Sequence, residues 1–82
     1  PWVHTSVATN TWGFYGCYGT ISPNGVFFDM SNHTGLVVSA CQFNALSGTP
    51  NLFKPGQNIT NAVMHGCTVR SPVVDNHASV FA

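Results

Sequence analysis

Apolar and polar residues alternate along this chain in short runs. In Gly35-Leu36-Val37-Val38-Ser39-Ala40-Cys41-Gln42-Phe43 the pattern places Leu36 and Val38 on one face. A bend at Ala40 then brings Cys41 and Phe43 to the same side. Asn61-Ala62-Val63-Met64-His65-Gly66-Cys67-Thr68-Val69 repeats this with Ala62, Met64, Cys67 and Val69, and Trp12, Phe14 and Cys17 take the same places earlier. A period of two over four to six residues is that of a half-buried strand. The runs are rich in Val, Phe, Thr and Tyr and are punctuated by Gly, Pro and Asn, which disfavours helix.

The runs themselves recur. Cys17, Cys41 and Cys67 are spaced by 24 and 26 residues (41 − 17 and 67 − 41). Asn32 to Cys41 aligns without gaps on Asn58 to Cys67, whereas Ala8 stands where the first repeat would carry Asn. After each cysteine come a proline (Pro23, Pro50, Pro72) and a short apolar segment ending in Phe: Val26-Phe27-Phe28, Leu52-Phe53 and Val80-Phe81. A fixed period of this length marks a stacked repeat with variable turns. The expected fold is all-β, a short parallel β-helix (β-solenoid) of about three coils with one cysteine per coil. Residues 1–82 form one unit, with 1–11 as an N-terminal cap or arm and 12–82 as repeat coils. Stacking places Cys17, Cys41 and Cys67 in an interior ladder and Asn32 over Asn58 in an amide ladder. The small residue before each cysteine (Gly16, Ala40, Gly66) suits a corner where stacked backbones approach closely.

The segments 35–43 and 61–69 resemble coils of the right-handed parallel β-helix found in pectin-lyase-like proteins, a group of polysaccharide lyases, polygalacturonase-type hydrolases and viral tail spikes. The resemblance covers roughly residues 10–82 and implies the handedness of the coil. It carries no catalytic motif onto this chain. Members of that group usually have many coils and an end cap. A three-coil stack without a capping helix exposes sheet edges, which invite pairing. The chain is therefore expected within a larger chain or assembly.

Composition narrows the function classes. The 82 residues include two basic and two acidic side chains, and the formal net charge is zero. Nucleic-acid and anionic-membrane partners require Lys/Arg clusters, so neither is expected. No apolar run approaches the roughly 18 residues of a membrane span. Three cysteines admit one disulfide plus a free thiol, or three reduced, buried thiols, which the ladder favours. Asp29 and Asp75, the two carboxylates, fall at different corners and read as solvated turn residues rather than a glycosidase pair. His4, His33, His65 and His77 match no zinc spacing with the cysteines, and His65 falls on the outward side with Ser39 and Tyr15. No catalytic residue, metal site or cofactor is expected. Asn32 and Asn58 also head formal N-glycosylation sequons. Trp12, Tyr15 and Tyr18 are the candidate ligand-binding residues, because aromatic faces stack on sugar rings; the favoured reading makes them, with Trp2, an aromatic cap that closes the first coil.

The expected function is a non-enzymatic structural or adhesive module of viral tail-spike or fibre type. It would assemble with copies of itself or other subunits, bind surface glycans, and act outside the cell or on a virion surface. The alternatives are a fragment of a polysaccharide-degrading β-helix enzyme, an ice-binding protein, and a small secreted β-sandwich lectin.

Overall fold

The computed structural model describes residues 2–5, 11–21, 23–30 and 33–82. Among these residues nine strands follow one another: β1 (Val3–Thr5), β2 (Trp12–Tyr15), β3 (Tyr18–Ile21), β4 (Val26–Met30), β5 (Thr34–Ser39), β6 (Gln42–Ala45), β7 (Asn51–Phe53), β8 (Thr60–His65) and β9 (Thr68–Val69). One helical turn, α1 (His77–Val80), comes last. The strands form three parallel three-stranded sheets, β1-β4-β7, β2-β5-β8 and β3-β6-β9. Each strand from β1 to β6 thus pairs with the strand three places further along, as a repeat of three strands per unit requires.

The register is the gap-free alignment of the two later repeats. Thr34, Leu36, Val38 and Ser39 pair with Thr60, Ala62, Met64 and His65. Trp12, Phe14 and Tyr15 pair with Leu36, Val38 and Ser39. In a parallel ladder, like residues stack on like, so one inward position repeats from strand to strand. The inward faces of the three sheets share one core. Phe28 packs edge-on against Phe14 at 5.5 Å and Phe43 at 5.6 Å, which joins the sheets, and it stacks on Phe53 at 5.0 Å. Leu36, Val38, Phe43, Leu52 and Ile59 are fully buried around this cluster.

The first unit is built differently. Gly19 occupies the place of Phe43 and Val69 in its sheet. The missing side chain is replaced by Trp2, whose ring lies 5.7–6.0 Å from those of Phe14, Phe27, Phe28 and Phe43. An added Cβ at Gly19 would stand 3.0 Å from Phe27 and 3.2 Å from Trp2. The residues expected as a cap or arm therefore supply both the strand β1 and the ring that covers the core.

Two expectations are corrected. Val80-Phe81 does not repeat the strand of Leu52-Phe53. Val74 bridges to Asn51 and Phe81 bridges to Ile59, so Phe81 aligns with Ile59. Between them Asn76 stops the strand: its amide donates to Phe53 O (2.9 Å) and accepts from Phe53 N (3.0 Å), taking the place of a neighbouring peptide. Asp75 then accepts from His77 N at 3.2 Å, satisfying an otherwise orphan donor at the start of the helical turn. Secondly, the corner before each cysteine is small for a conformational reason. Gly16, Ala40 and Gly66 have φ of 66°, 55° and 66°. A Cβ at Gly16 meets nothing within 4 Å, so crowding does not exclude it; the left-handed backbone disfavours it.

Candidate functional site

The candidate ligand-binding residues do not converge. Trp12 opens β2 on its inner side, 37% exposed, with its ring edge-on to buried His33 at 5.5 Å. It lines an open groove with Trp2, His4, Thr11 and Phe14. Tyr15 closes β2 on the outer side and Tyr18 opens β3, each 68% exposed, on either side of the Gly16-Cys17 corner. Alternation along β2 separates Trp12 from Tyr15. The Tyr15 ring leans back over Gly13, where a Cβ would collide with it; Val37 and Val63 hold the same place in the next two strands. The outer face thus carries the columns Tyr15–Ser39–His65 and Tyr18–Gln42–Thr68. Ser39 and His65 are hydrogen-bonded at 3.3 Å, and Gln42 Nε2 donates to Asn44 Oδ1 at 3.4 Å. This face is aromatic and polar, without a carboxylate.

The three cysteines are free thiols in equivalent turns. Cys41 is buried, and Cys17 and Cys67 are half-buried. Gln42 N donates to Cys17 O (2.8 Å) and Thr68 N to Cys41 O (2.9 Å), which ties each corner to the next. Cys41 Sγ donates to Phe14 O at 3.3 Å and Cys67 Sγ to Val38 O at 3.5 Å, both in the preceding unit. Burial pushes the Cys17 thiol up from its ordinary value of 9.0, and the neighbouring Cys41 adds to the shift. The thiolate is the nucleophile, so the Cys17 thiol gains reactivity as the pH rises. Of the paired asparagines, Asn58 is exposed ahead of Ile59, while Asn32 lies outside the described residues, as does Ala8.

Asp29 is not a solvated turn residue. It sits in β4 between His4 and the position of Lys54, with its side chain 15% exposed. Its Oδ2 lies 3.4 Å from His4 Nδ1 and 3.7 Å from Lys54 Nζ, and Gln57 Nε2 donates to Oδ1 at 2.7 Å. Gln57 Oε1 accepts in turn from Met30 N at 3.1 Å. The carboxylate therefore ties three adjacent strands on the outside of the first sheet. Asp75 lies exposed outside the strands, just ahead of α1, where its Oδ1 is 2.6 Å from His77 Nδ1. Each carboxylate is thus spent on a local partner.

Buried His33 bonds through Nε2 to Gly35 O (2.9 Å) and through Nδ1 to Thr5 Oγ1 (3.5 Å). A carbonyl only accepts, so Nε2 carries the proton, and in the neutral ring Nδ1 accepts from the hydroxyl. Its role is to join β1 to the start of β5. Among the described residues no three His, Cys, Asp or Glu side chains are placed to hold a metal ion. Among the described residues no helix is long and apolar enough to cross a membrane. Sequence reasoning placed Trp2 in an aromatic cap but not over Gly19, where the inward series of Phe43 and Val69 is broken, and it missed Gln57 and Asn76. No family model, curated protein or solved structure matches the chain.

Proposed function

We propose that this chain is a structural or adhesive segment of a parallel β-solenoid, of viral tail-spike or fibre type, that stacks with further copies or subunits. The observation that carries the reading is the in-register parallel pairing from unit to unit, which ends in open edges. Among the described residues, β8 and β9 have no strand on their far side. Ala62, Met64, Cys67 and Val69 are only half-buried there, and Val63 is 49% exposed. An unpaired edge above half-covered apolar side chains favours another strand. By contrast, the edge of β7 is closed by Val74 and Asn76. The outer columns headed by Tyr15 and Tyr18 would meet surface glycans, since hydroxyls, amides and aromatic faces suit neutral sugars.

Native mass spectrometry across a dilution series tests the assembly. The expected result is an oligomer that dissociates on dilution, and a stable monomer at high concentration overturns it. Glycan binding is tested separately with Tyr15→Ala and Tyr18→Ala on an array of neutral oligosaccharides, where both variants should lose the signal. The enzyme alternative receives less support, because Asp29 is engaged by His4, Lys54 and Gln57. Polysaccharide cleavage that is lost in an Asp29→Asn/Asp75→Asn double variant would revive it.

A further inference from the structure

The three thiols share one place in successive units but differ in what holds them. Neighbours in register on parallel strands lie about 4.8 Å apart, and a disulfide spans Cα separations of roughly 4.4–6.8 Å. The cysteine corners lie between in-register pairs, Tyr15–Ser39 with Tyr18–Gln42 and Ser39–His65 with Gln42–Thr68, so this spacing applies to them. Cys41 and Cys67 each donate to a carbonyl of the preceding unit, at 3.3 and 3.5 Å. Cys17 stands in the first unit, and its backbone contact is a long 3.8 Å to Tyr15 O. Cys41 stands next to it in the column, flanked by the register pairs Tyr15–Ser39 and Tyr18–Gln42. Cys17 is also half-buried, whereas Cys41 is only 2% exposed. One thiol is thus reachable and held only by a long contact within its own unit, and its neighbour in the column is Cys41.

We propose that Cys17 and Cys41 form an oxidisable pair that a low-molecular-weight disulfide closes, while Cys67 stays a thiol. The Cys17 thiolate attacks one sulfur of oxidised glutathione, the glutathione S–S bond breaks, and one glutathione thiolate leaves and takes up a proton. The Cys41 sulfur, its proton passing to solvent, then attacks Cys17 Sγ and expels the second glutathione thiolate. Two protein thiols lose two protons and two electrons, and one glutathione disulfide is reduced to two thiols. Burial of the Cys17 thiol slows the first step near neutrality, so closure quickens as the pH rises. The product staples the first unit to the second across a span of 24 residues (41 − 17). It would make the end covered by Trp2 resistant to opening until a reductant arrives.

The test incubates the folded protein with oxidised glutathione at pH 8 to 9, then alkylates, digests without reduction and maps the peptides by mass spectrometry. The expected product has lost two hydrogens, carries a Cys17–Cys41 link and is alkylated at Cys67. It reverts with dithiothreitol and gains thermal resistance that reduction removes. Cys67→Ser should retain the product and Cys17→Ser abolish it, with circular dichroism confirming that each variant is folded. A Cys41–Cys67 link, a glutathione adduct that persists on Cys17, or three alkylated cysteines after prolonged exposure would each overturn the proposal. The wild-type map decides between these outcomes even if a variant misfolds.

Discussion

Replacing Ala40 by glycine should stabilise the protein, although the change removes a methyl group and loosens the unfolded chain. Ala40 is held at φ 55°, and the equivalent corners at φ 66° carry Gly16 and Gly66. A left-handed conformation costs a residue with a Cβ about 1–2 kcal/mol. Glycine escapes that cost but has more conformational entropy to lose on folding, which returns roughly 0.4–1 kcal/mol. Ala40 is exposed, so its methyl group adds little burial. The balance favours Ala40→Gly by about 0.5–1 kcal/mol, or roughly 2–8 °C in melting temperature for a domain of this size. The reverse changes provide the control. A Cβ at Gly16 meets no atom within 4 Å, and one at Gly66 lies 3.8 Å from Ala40 N, so Gly16→Ala and Gly66→Ala test conformation without packing. Each should cost about 0.5–1 kcal/mol by the same balance. Urea unfolding at 25 °C followed by circular dichroism measures all three, with a shift in midpoint at constant slope as the readout. The reasoning is refuted if Ala40→Gly destabilises while the reverse changes are neutral, because the three corners would then not share one backbone conformation.

Three further outcomes follow from the ends and the thiol column. Trp2→Ala should cost about 2–3 kcal/mol, below the 3–5 of a fully buried aromatic because the ring is half-exposed. Adding Gly19→Phe should recover part of that loss in thermal unfolding, since Phe fills the same place at Phe43. Asn76→Ala removes both hydrogen bonds to Phe53 and should cost about 2–3 kcal/mol by urea unfolding; Asn76→Asp, which keeps only the acceptor, should fall between it and the wild type. The raised Cys17 thiol makes stability fall with alkalinity. The folded thiol keeps its proton to higher pH than the unfolded one, so its contribution is intact below the unfolded value and is lost as the pH rises through the folded one. Melting temperatures from pH 7 to 10 should drop less steeply in Cys17→Ser than in the wild type, and parallel curves would count against the shift.

Much of the architecture was legible because a parallel repeat prints itself into the sequence. When like residues stack on like, each inward position recurs at the unit length, and the alignment of 32–41 on 58–67 reads directly as the β5–β8 register. What escaped were substitutions of one kind of group for another. Trp2 replaces a side chain absent from Gly19 some 17 residues away in sequence (19 − 2), which no local pattern records. Asn76 uses a side-chain amide where the repeat would use a peptide, so Val80-Phe81 looked like a strand and falls in and after a helical turn. Asp29 alternates correctly as an outward strand residue, but its value depends on His4 and Lys54 arriving from both neighbouring strands. The candidate site was the least legible part. Trp12, Tyr15 and Tyr18 are close in sequence, yet alternation along β2 sends Trp12 to the opposite side from Tyr15.

The two ends of the stack are finished by different means, and the difference bears on assembly. A repeat whose units contact only their neighbours must cover two sets of polar edges and two apolar faces. At the first unit the apolar face is covered by Trp2, against which Phe14, Phe27, Phe28 and Phe43 all pack. At the last unit only one sheet is finished, by Val74 and by the amide of Asn76 on Phe53. Among the described residues the other two end at β8 and β9 with half-covered Ala62, Met64, Cys67 and Val69. Strand pairing there would satisfy backbone groups and bury apolar surface in one step, the combination that drives strand addition. A partner meeting β8 in parallel register would continue the side-chain columns, and Phe81, bridged to Ile59 in parallel, already lies along that line. Growth in the proposed solenoid would therefore be directional, from the open edges of β8 and β9 and away from the end that Trp2 covers.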